Sequence, residues 1–460
     1  MAPPWRIPEV LRRSENGPLC MEKDFDTKIL FPKIKELIKE YDIKFDGETI
    51  IPSDNSLADD LWKAGLELYL HTGTLCLETS RRIMFTEEEI KEALISFPEK
   101  IVVGSGTERR EVYHRDIEDR RRPFCVFSPS LPFSEELFAI VEMAYALEPL
   151  ADGVGAGVLD ELWGEKVRSK APTDVAGAGA HALMIREAVR RVGRPNIYLA
   201  DVQTALSDTA QISVSNPEWG VRTTDGRMVG TISELKIDWG GLNRMVNFHK
   251  CGYIIMSLFG PMVGGYAGGV EGTAIVSVAT HLQGLMVNQG HLDTFFPFDI
   301  NQLNNTSRNL LWMISLVYQA LARNSPFLSM SNGIGAAGPC TEMVLLEAAT
   351  HGLVSTVSGA NLWEFFAARN KYKDRTTPVE ARMACEVGRA AAKAGLKRDE
   401  TNELAKKLLK EYEGKIKDAP LGKKFQECYD IKRVVPTKEY TELYNNVKKK
   451  IIDLGVPVLI

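Results

Sequence analysis

The sequence predicts an α/β chain folded as a (β/α)8 TIM-like barrel with helical additions at both ends, and three observations carry the prediction. Between Ser134 and Ala368, short apolar runs alternate with amphipathic stretches of helix length. About eight such units follow one another, and strands separated by helices pair in parallel through right-handed crossovers. No G-x-G-x-x-G fingerprint opens a first βαβ unit, which removes the doubly wound dinucleotide fold as the alternative.

Taken in order, residues 1–95 read as an irregular and helical N-terminal cap. The first fifty are Pro-rich, Asn55 to Arg82 is amphipathic, and Thr86-Glu87-Glu88-Glu89 is a capping box. The barrel is assigned to residues 96–380. Lys100 to Gly104 and Phe124 to Phe127 are β-rich, and the run ERREVYHRDIEDRRR between them reads as a solvated surface segment. A helix over Ser134 to Leu147, the glycine-rich turn DGVGAGV and a helix over Thr173 to Val192 follow, then a strand over Asn196 to Ala200 and a polar loop to Gly230. Helices are then expected at Ile232 to His249, Val270 to Asn288, Thr306 to Arg323, Cys340 to His351 and Leu362 to Ala368. Strands are expected between them at Tyr253 to Leu258, Phe295 to Asp299, Phe327 to Met330 and Val354 to Val357. Residues 381–460, Lys/Glu-rich and helical at Asn402 to Glu413 and Lys438 to Asp453, read as a layer packed on the barrel or a subunit contact.

A net charge of −5 argues against nucleic acid as a partner, because neutralising phosphates takes an excess of Lys and Arg. The seven cysteines form no C-x-x-C pair and have no histidine at metal spacing, so they read as reduced thiols and no metal site is assigned. His249, His281 and His291 read as structural. No stretch reaches the ~18 apolar residues of a membrane span, and the start of the chain has no apolar leader segment, so a cytoplasmic protein is expected.

GGYAGG, at Gly264 to Gly269, lies between a predicted strand and a predicted helix, on the barrel face where active sites sit. Gly264, Gly265, Gly268 and Gly269 let the backbone approach a ligand or partner and take φ > 0. The segment lacks the Lys-Ser/Thr pair of a P-loop, so it is not read as a phosphate cradle. Tyr266 within it offers an aromatic face. Glu271 just after it either binds or complements the helix dipole.

Several irregular motifs recur together: GGYAGGVE followed by VATH, AGPCTEMVLLEA at Ala337 to Ala348, GKKFQECYD at Gly422 to Asp430, GRP at Gly193 to Pro195 and SELKID at Ser233 to Asp238. With these the chain closely resembles the monomethylamine methyltransferases of methanogenic archaea, over most of its length. The resemblance implies a (β/α)8 barrel, a homo-oligomer (a hexamer in the family), and transfer of a methyl group from a small methylated amine to Co(I) of a separate, cognate corrinoid protein. The corrinoid belongs to that partner, and no cofactor is expected in the chain itself.

In that family a pyrrolysine captures methylamine as an adduct and a glutamate helps bind its ammonium. Counting from the shared GRP, with Thr204, Leu206, Ser207, Ile212 and Ser213 in register, the pyrrolysine position falls on Ala200. The glutamate, placed by the shared Ile254-Ile255-Met256, falls on Leu258, and a site glutamine falls on Asn332. The implied mechanism thus loses its adduct and its carboxylate. A small primary ammonium would be desolvated beside Leu258 without compensation. A larger methylated amine, above all a quaternary ammonium, already carries the charge that makes nitrogen a leaving group, and aromatic faces bind such cations. Tyr266, Trp219, Phe296 and Phe298 are candidate faces, Asp201, Gln203, Asn216 and Glu218 candidate polar contacts, and Arg222 and Arg227 candidate partners for a substrate carboxylate. The competing reading is a catalytically degenerate binding or assembly protein on the same barrel. A Schiff-base lyase is set aside because no lysine lies in the predicted strands.

Overall fold

The structure, a computed structural model, describes residues 6–202, 204 and 207–459. Eight parallel strands form the barrel: β1 (Cys125–Phe127), β2 (Gly153–Val154), β3 (Tyr198–Leu199), β4 (Gly226–Gly230), β5 (Ile254–Phe259), β6 (Leu292–Phe295), β7 (Ser329–Ile334) and β8 (Asn361–Phe366). Each is followed by a helix: α1 (Glu135–Ala146), α2 (Pro172–Arg191), α3 (Asp208–Ser213), α4 (Trp239–Cys251), α5 (Val270–Gln283), α6 (Arg308–Asn324), α7 (Glu342–Val357) and α8 (Pro378–Ala394). β8 pairs with β1, so the first and last strands close the ring. Strands such as IIMSLF and NLWEFF are apolar on both faces because one face meets the barrel interior and the other the helices.

Among the described residues, the seam without ladder bonds lies between β3 and β4. Carboxylates bridge it: Asp225 Oδ1 accepts from Leu199 N–H at 3.2 Å and Asp201 Oδ1 from Met228 N–H at 3.4 Å. The strands approach so closely that a Cβ on Gly226 would stand 2.2 Å from the Ala200 carbonyl oxygen, which is why glycine opens β4.

Helical additions cover the barrel. Asn55–Thr72 packs on α5 and α6, while Arg398–Tyr412 and Lys438–Asp453 pack on α7. Every residue of α7 from Met343 to Val357 is therefore buried. The capping box is formed, Thr86 Oγ1 accepting from Glu89 N–H and Glu89 Oε2 from Thr86 N–H.

Several sequence expectations are corrected. The Pro-rich start is largely helical, over Arg6–Asn16 and Phe31–Glu40, Pro32 being tolerated in the first turn of the second helix. The amphipathic helix at Asn55 stops at Gly73, whose φ of +62° ends it, and two short strands follow. Within the charge run, Arg110–Tyr113 pairs with Lys100–Val103 as a hairpin, and Val103 and Val112 pack against the buried barrel residues Tyr198 and Leu328. β2 and β4 occupy a glycine-rich turn and the end of a polar loop. Val354–Val357 is the end of α7 rather than a strand, and Leu362 to Ala368 holds β8 rather than a helix. Phe298–Asp299 pairs with Met262–Val263 beyond the end of β6.

Candidate functional site

At the C-terminal ends of the strands a cavity of about 240 Å³ opens, the place where barrel folds bind their substrates. Met228 of β4, Leu258 of β5, Asn332 of β7 and Trp363, Glu364 and Phe366 of β8 line it, with Ser130, Val158, Phe296 and Asn370 from the loops beyond the strands. The wall is mostly apolar and aromatic, and its polar groups converge on Glu364.

Geometry at β8 explains how a carboxyl reaches this wall. Asn332 pairs with Trp363 but Gly333 pairs with Phe365, so Glu364 is an extra, unpaired residue. Such a bulge re-aims side chains, which is why Trp363 and Phe366 both face the cavity although three residues apart. Ser130 Oγ stands 2.9 Å from each Glu364 oxygen, and Asn332 Nδ2 donates to Oε1 at 3.4 Å. Thr294 Oγ1 donates to Asn332 Oδ1, which fixes the amide with its NH2 toward the carboxyl. Burial drives the Glu364 carboxyl well above the usual carboxylate range, offset in part by its serine donors. On the rim, Ala368, Arg369 and Asn370 are three successive residues at φ of +50°, +61° and +50°. Left-handed non-glycine residues in a row are costly, and strain of this kind gathers at ligand sites.

A second buried carboxyl lies behind this wall. Glu142 of α1 accepts from Gly157 N–H at 2.7 Å and is pushed up to about 8 by burial. Its folded value lies above the 4.5 of an exposed glutamate, so it contributes fully below pH 4.5 and its contribution falls as pH rises through 8. Glu142→Gln keeps the carbonyl acceptor and removes the titration. The variant is expected to match the parent near pH 5 and to gain on the order of a few kcal/mol over it near pH 9. Urea midpoints at the two pH values measure this, and an equal difference at both contradicts it.

Of the residues singled out in the sequence, Leu258, Asn332 and Phe296 line the cavity together. Ala200 is fully buried inside the barrel, in one apolar cluster with Met228 and Trp363, and stands behind the wall rather than in it. Asp201 is not among the residues lining the cavity; its carboxyl accepts from Met228 N–H, and burial raises it to about 6 against the opposing charge of Arg227. Gln203 lies outside the described residues. Phe298 stacks on Phe296 with centroids 6.4 Å apart.

The glycine loop forms a tight turn. Gly264 N–H donates to Gly268 O at 2.8 Å, Gly268 N–H to Gly265 O at 3.0 Å, and Gly264 and Gly268 take φ of +93° and +81°. Gly269 is the N-cap of α5. Ser233 Oγ donates to Gly260 O and Glu234 Oε1 accepts from Met262 N–H, so the loop after β4 holds the loop after β5. Tyr266 is half exposed with its ring 5.6 Å from the Lys236 ammonium, outside the cavity wall. Glu271, in the first turn of α5, accepts from Phe45 N–H at 3.3 Å.

Other candidates do not reach the site. Arg222 precedes β4, at the opposite end of the barrel, and donates to Pro195 O and Asn196 Oδ1. Arg227 is buried under α4, donating to Gln211 and lying 4.5 Å over the Phe248 ring. Asn216 and Glu218 share a turn ahead of β4, and Trp219 packs against Gly179 of α2. His281 and His291 are held in the packing, His281 Nδ1 by Ser277 O and His291 Nδ1 by Ile255 N–H. Sequence reasoning missed Glu364, Ser130, Met228 and Trp363. The sequence shows Glu364 only as one acidic residue inside the run NLWEFF, and nothing in that run marks the bulge that brings it to the wall.

The family described as monomethylamine methyltransferase MtmB matches residues 6–456. The protein named monomethylamine methyltransferase MtmB1 of Methanosarcina barkeri is 36% identical over 448 residues, covering 96% of both chains, and its Methanosarcina acetivorans counterpart is 35% identical. The crystal structure of the M. barkeri monomethylamine methyltransferase matches with a TM-score of 0.94 at 34% identity, covering 98% of each chain, and its hydroxylamine complex matches equally.

Proposed function

Because this chain belongs to the monomethylamine methyltransferase MtmB family, we propose that it transfers a methyl group from a methylated amine larger than monomethylamine to Co(I) of a corrinoid held by a separate protein. A quaternary ammonium is the donor that suits the site best. The observation that carries this reading is the cavity itself: aromatic and aliphatic walls from Met228, Leu258, Phe296, Trp363 and Phe366 around one carboxyl. Aromatic faces attract a cation by about 0.5 to 2 kcal/mol each, and apolar walls accept N-methyl groups. A primary ammonium there would lose several water hydrogen bonds and recover few.

The transfer is a displacement at carbon, for which the partner's corrinoid supplies the nucleophile. At about 240 Å³ the cavity holds a small organic cation and excludes a corrin ring, so the reacting methyl must point to the mouth. The chain's own task is to seat the cation, keep water out and present the methyl. Ala200 is taken as the position of the family's pyrrolysine, and a methyl side chain there forms no adduct. Loss of the adduct is tolerable only for a donor whose nitrogen is already charged. A homo-oligomer, hexameric as in the family, and a cytoplasmic setting that keeps the thiols reduced complete the reading.

The test is cobalt methylation, followed by the corrinoid absorption spectrum, with the purified protein and its corrinoid partner in the Co(I) state. Tetramethylammonium or another quaternary amine is expected to methylate cobalt and monomethylamine is not. Turnover with monomethylamine at the level of a pyrrolysine enzyme overturns the reading. Binding of quaternary amines with no methylation of any partner would instead favour a degenerate binding protein.

A further inference from the structure

Among the described residues lining the cavity, Glu364 is the one with a titratable side chain, and no lysine or arginine shares the wall. Among the described residues, some buried carboxylates have a cation, as Asp225 has Arg186 at 2.6 Å, Glu148 has Arg382 at 2.6 Å and Asp152 has Arg389 at 2.7 Å. Others, Glu142, Glu234, Glu347, Glu380, Asp174, Asp201 and Asp374, have no ion pair, but each takes a backbone N–H and none borders the cavity. Glu364 is a buried acid brought to a binding surface by a bulge and held there by Ser130 and Asn332. The titratable group bearing on it from the neighbouring helix is Glu142, a like charge that also favours the neutral acid. A carboxyl so placed lacks only an external cation.

We propose that Glu364 is the cation anchor of the donor site, the carboxyl against which a permanently charged onium methyl donor seats and which gives up one proton as it does so. This rests on the methyl-transfer reading above. The steps balance. On binding, the acid releases its proton to solvent and the carboxylate pairs with the onium charge. On transfer, the carbon–nitrogen or carbon–sulfur bond breaks, its electron pair stays on the leaving heteroatom, and a neutral amine or sulfide remains while the partner's Co(I) takes the methyl. Glu364, now without a counter-charge, recovers a proton from solvent, which weakens its hold on the product. The same chemistry rejects primary ammonium ions. In a dry site their proton passes to the carboxylate, leaving a neutral amine whose methyl has no competent leaving group.

Calorimetry on the full chain tests the anchor, with tetramethylammonium and trimethylsulfonium as probes, tert-butanol as a neutral control and methylammonium as a titratable one. Release of about one proton per onium ion is expected from heats in buffers of different ionisation enthalpy, with affinity rising about tenfold per pH unit while the free acid is protonated. Glu364→Gln, which keeps the shape and an acceptor for Ser130, is expected to bind at least tenfold more weakly with no pH slope and no proton release. The two onium probes separate ammonium from sulfonium donors. Unchanged affinity and slope in Glu364→Gln, absence of proton release in the parent, or no binding of either onium ion overturns the anchor. Should Glu364→Gln fail to fold, proton release by the parent decides alone. Onium binding as described without cobalt methylation would leave the anchor standing and sink the methyl-transfer reading.

Discussion

Gly268→Val is expected to cut cobalt methylation at least tenfold while the variant still binds onium ions and melts within a few degrees of the parent. The loop sits on the face where the cavity opens and belongs to no ladder of the barrel. A Cβ built at Gly268 meets nothing within 4 Å, so the first atom of the side chain has room, and φ of +81° is the strain the substitution meets. A β-branched residue resists that region by about 1 to 2 kcal/mol, enough to reshape a turn held by two backbone hydrogen bonds. If the turn exists so that a partner's cofactor can come close, the reshaped and bulkier loop blocks that approach and leaves the cavity wall untouched. Unchanged transfer would show that the glycines serve only the chain crossing. A large drop in melting temperature would show that they serve packing.

The barrel was legible because its rhythm is strong where strands are long. β5 lies where its apolar run predicts it, β7 starts two residues later than its run Phe327 to Met330 and extends to Ile334, and helix Lys438–Asp453 matches its expected bounds. The sequence fails where the elements are short or unusual in composition. β2 is only Gly153–Val154, inside a run that reads as a turn, and β4 carries Arg227 and two glycines. Both are strands because their neighbours hold them there, and local preference had no say. Val354–Val357 misleads in the opposite direction: three residues of high β preference, Val354, Thr356 and Val357, finish a helix because α7 is covered on all sides.

At the site, legibility ended with position along the strands. Leu258 and Asn332 meet across one cavity because both lie near the C-terminal ends of barrel strands, a relation the fold alone supplies. Arg222, Asn216 and Glu218 were misplaced because β4 went unseen, which put residues of the N-terminal end of the barrel on the wrong face. Glu364 was invisible for another reason. Alternation along β8 would turn it away from the interior, and only a bulge, which has no sequence signature here, brings it to the wall.

Trp363 offers the second large effect. It is 1% exposed, reaches both the interior cluster and the cavity, and neighbours the anchor in sequence. Packing, the face for a cation and a hydrogen bond to Glu364 are superposed in one ring, and two substitutions separate packing from the other two. Trp363→Ala removes all three: a loss of about 3 to 5 kcal/mol in stability is expected from the cavity left behind. Trp363→Leu keeps an apolar filler and removes the π face and the hydrogen bond. It is expected to keep most of the stability while weakening tetramethylammonium by about 0.5 to 2 kcal/mol, a factor of roughly 2 to 30. The neutral control tert-butanol gains nothing from a quadrupole, so its affinity is expected to change little in Trp363→Leu. If tetramethylammonium and tert-butanol weaken by the same factor, the ring acts by shape alone and the aromatic part of the donor reading fails. If only the cation weakens, the wall recognises charge, and the charge it recognises sits beside Glu364.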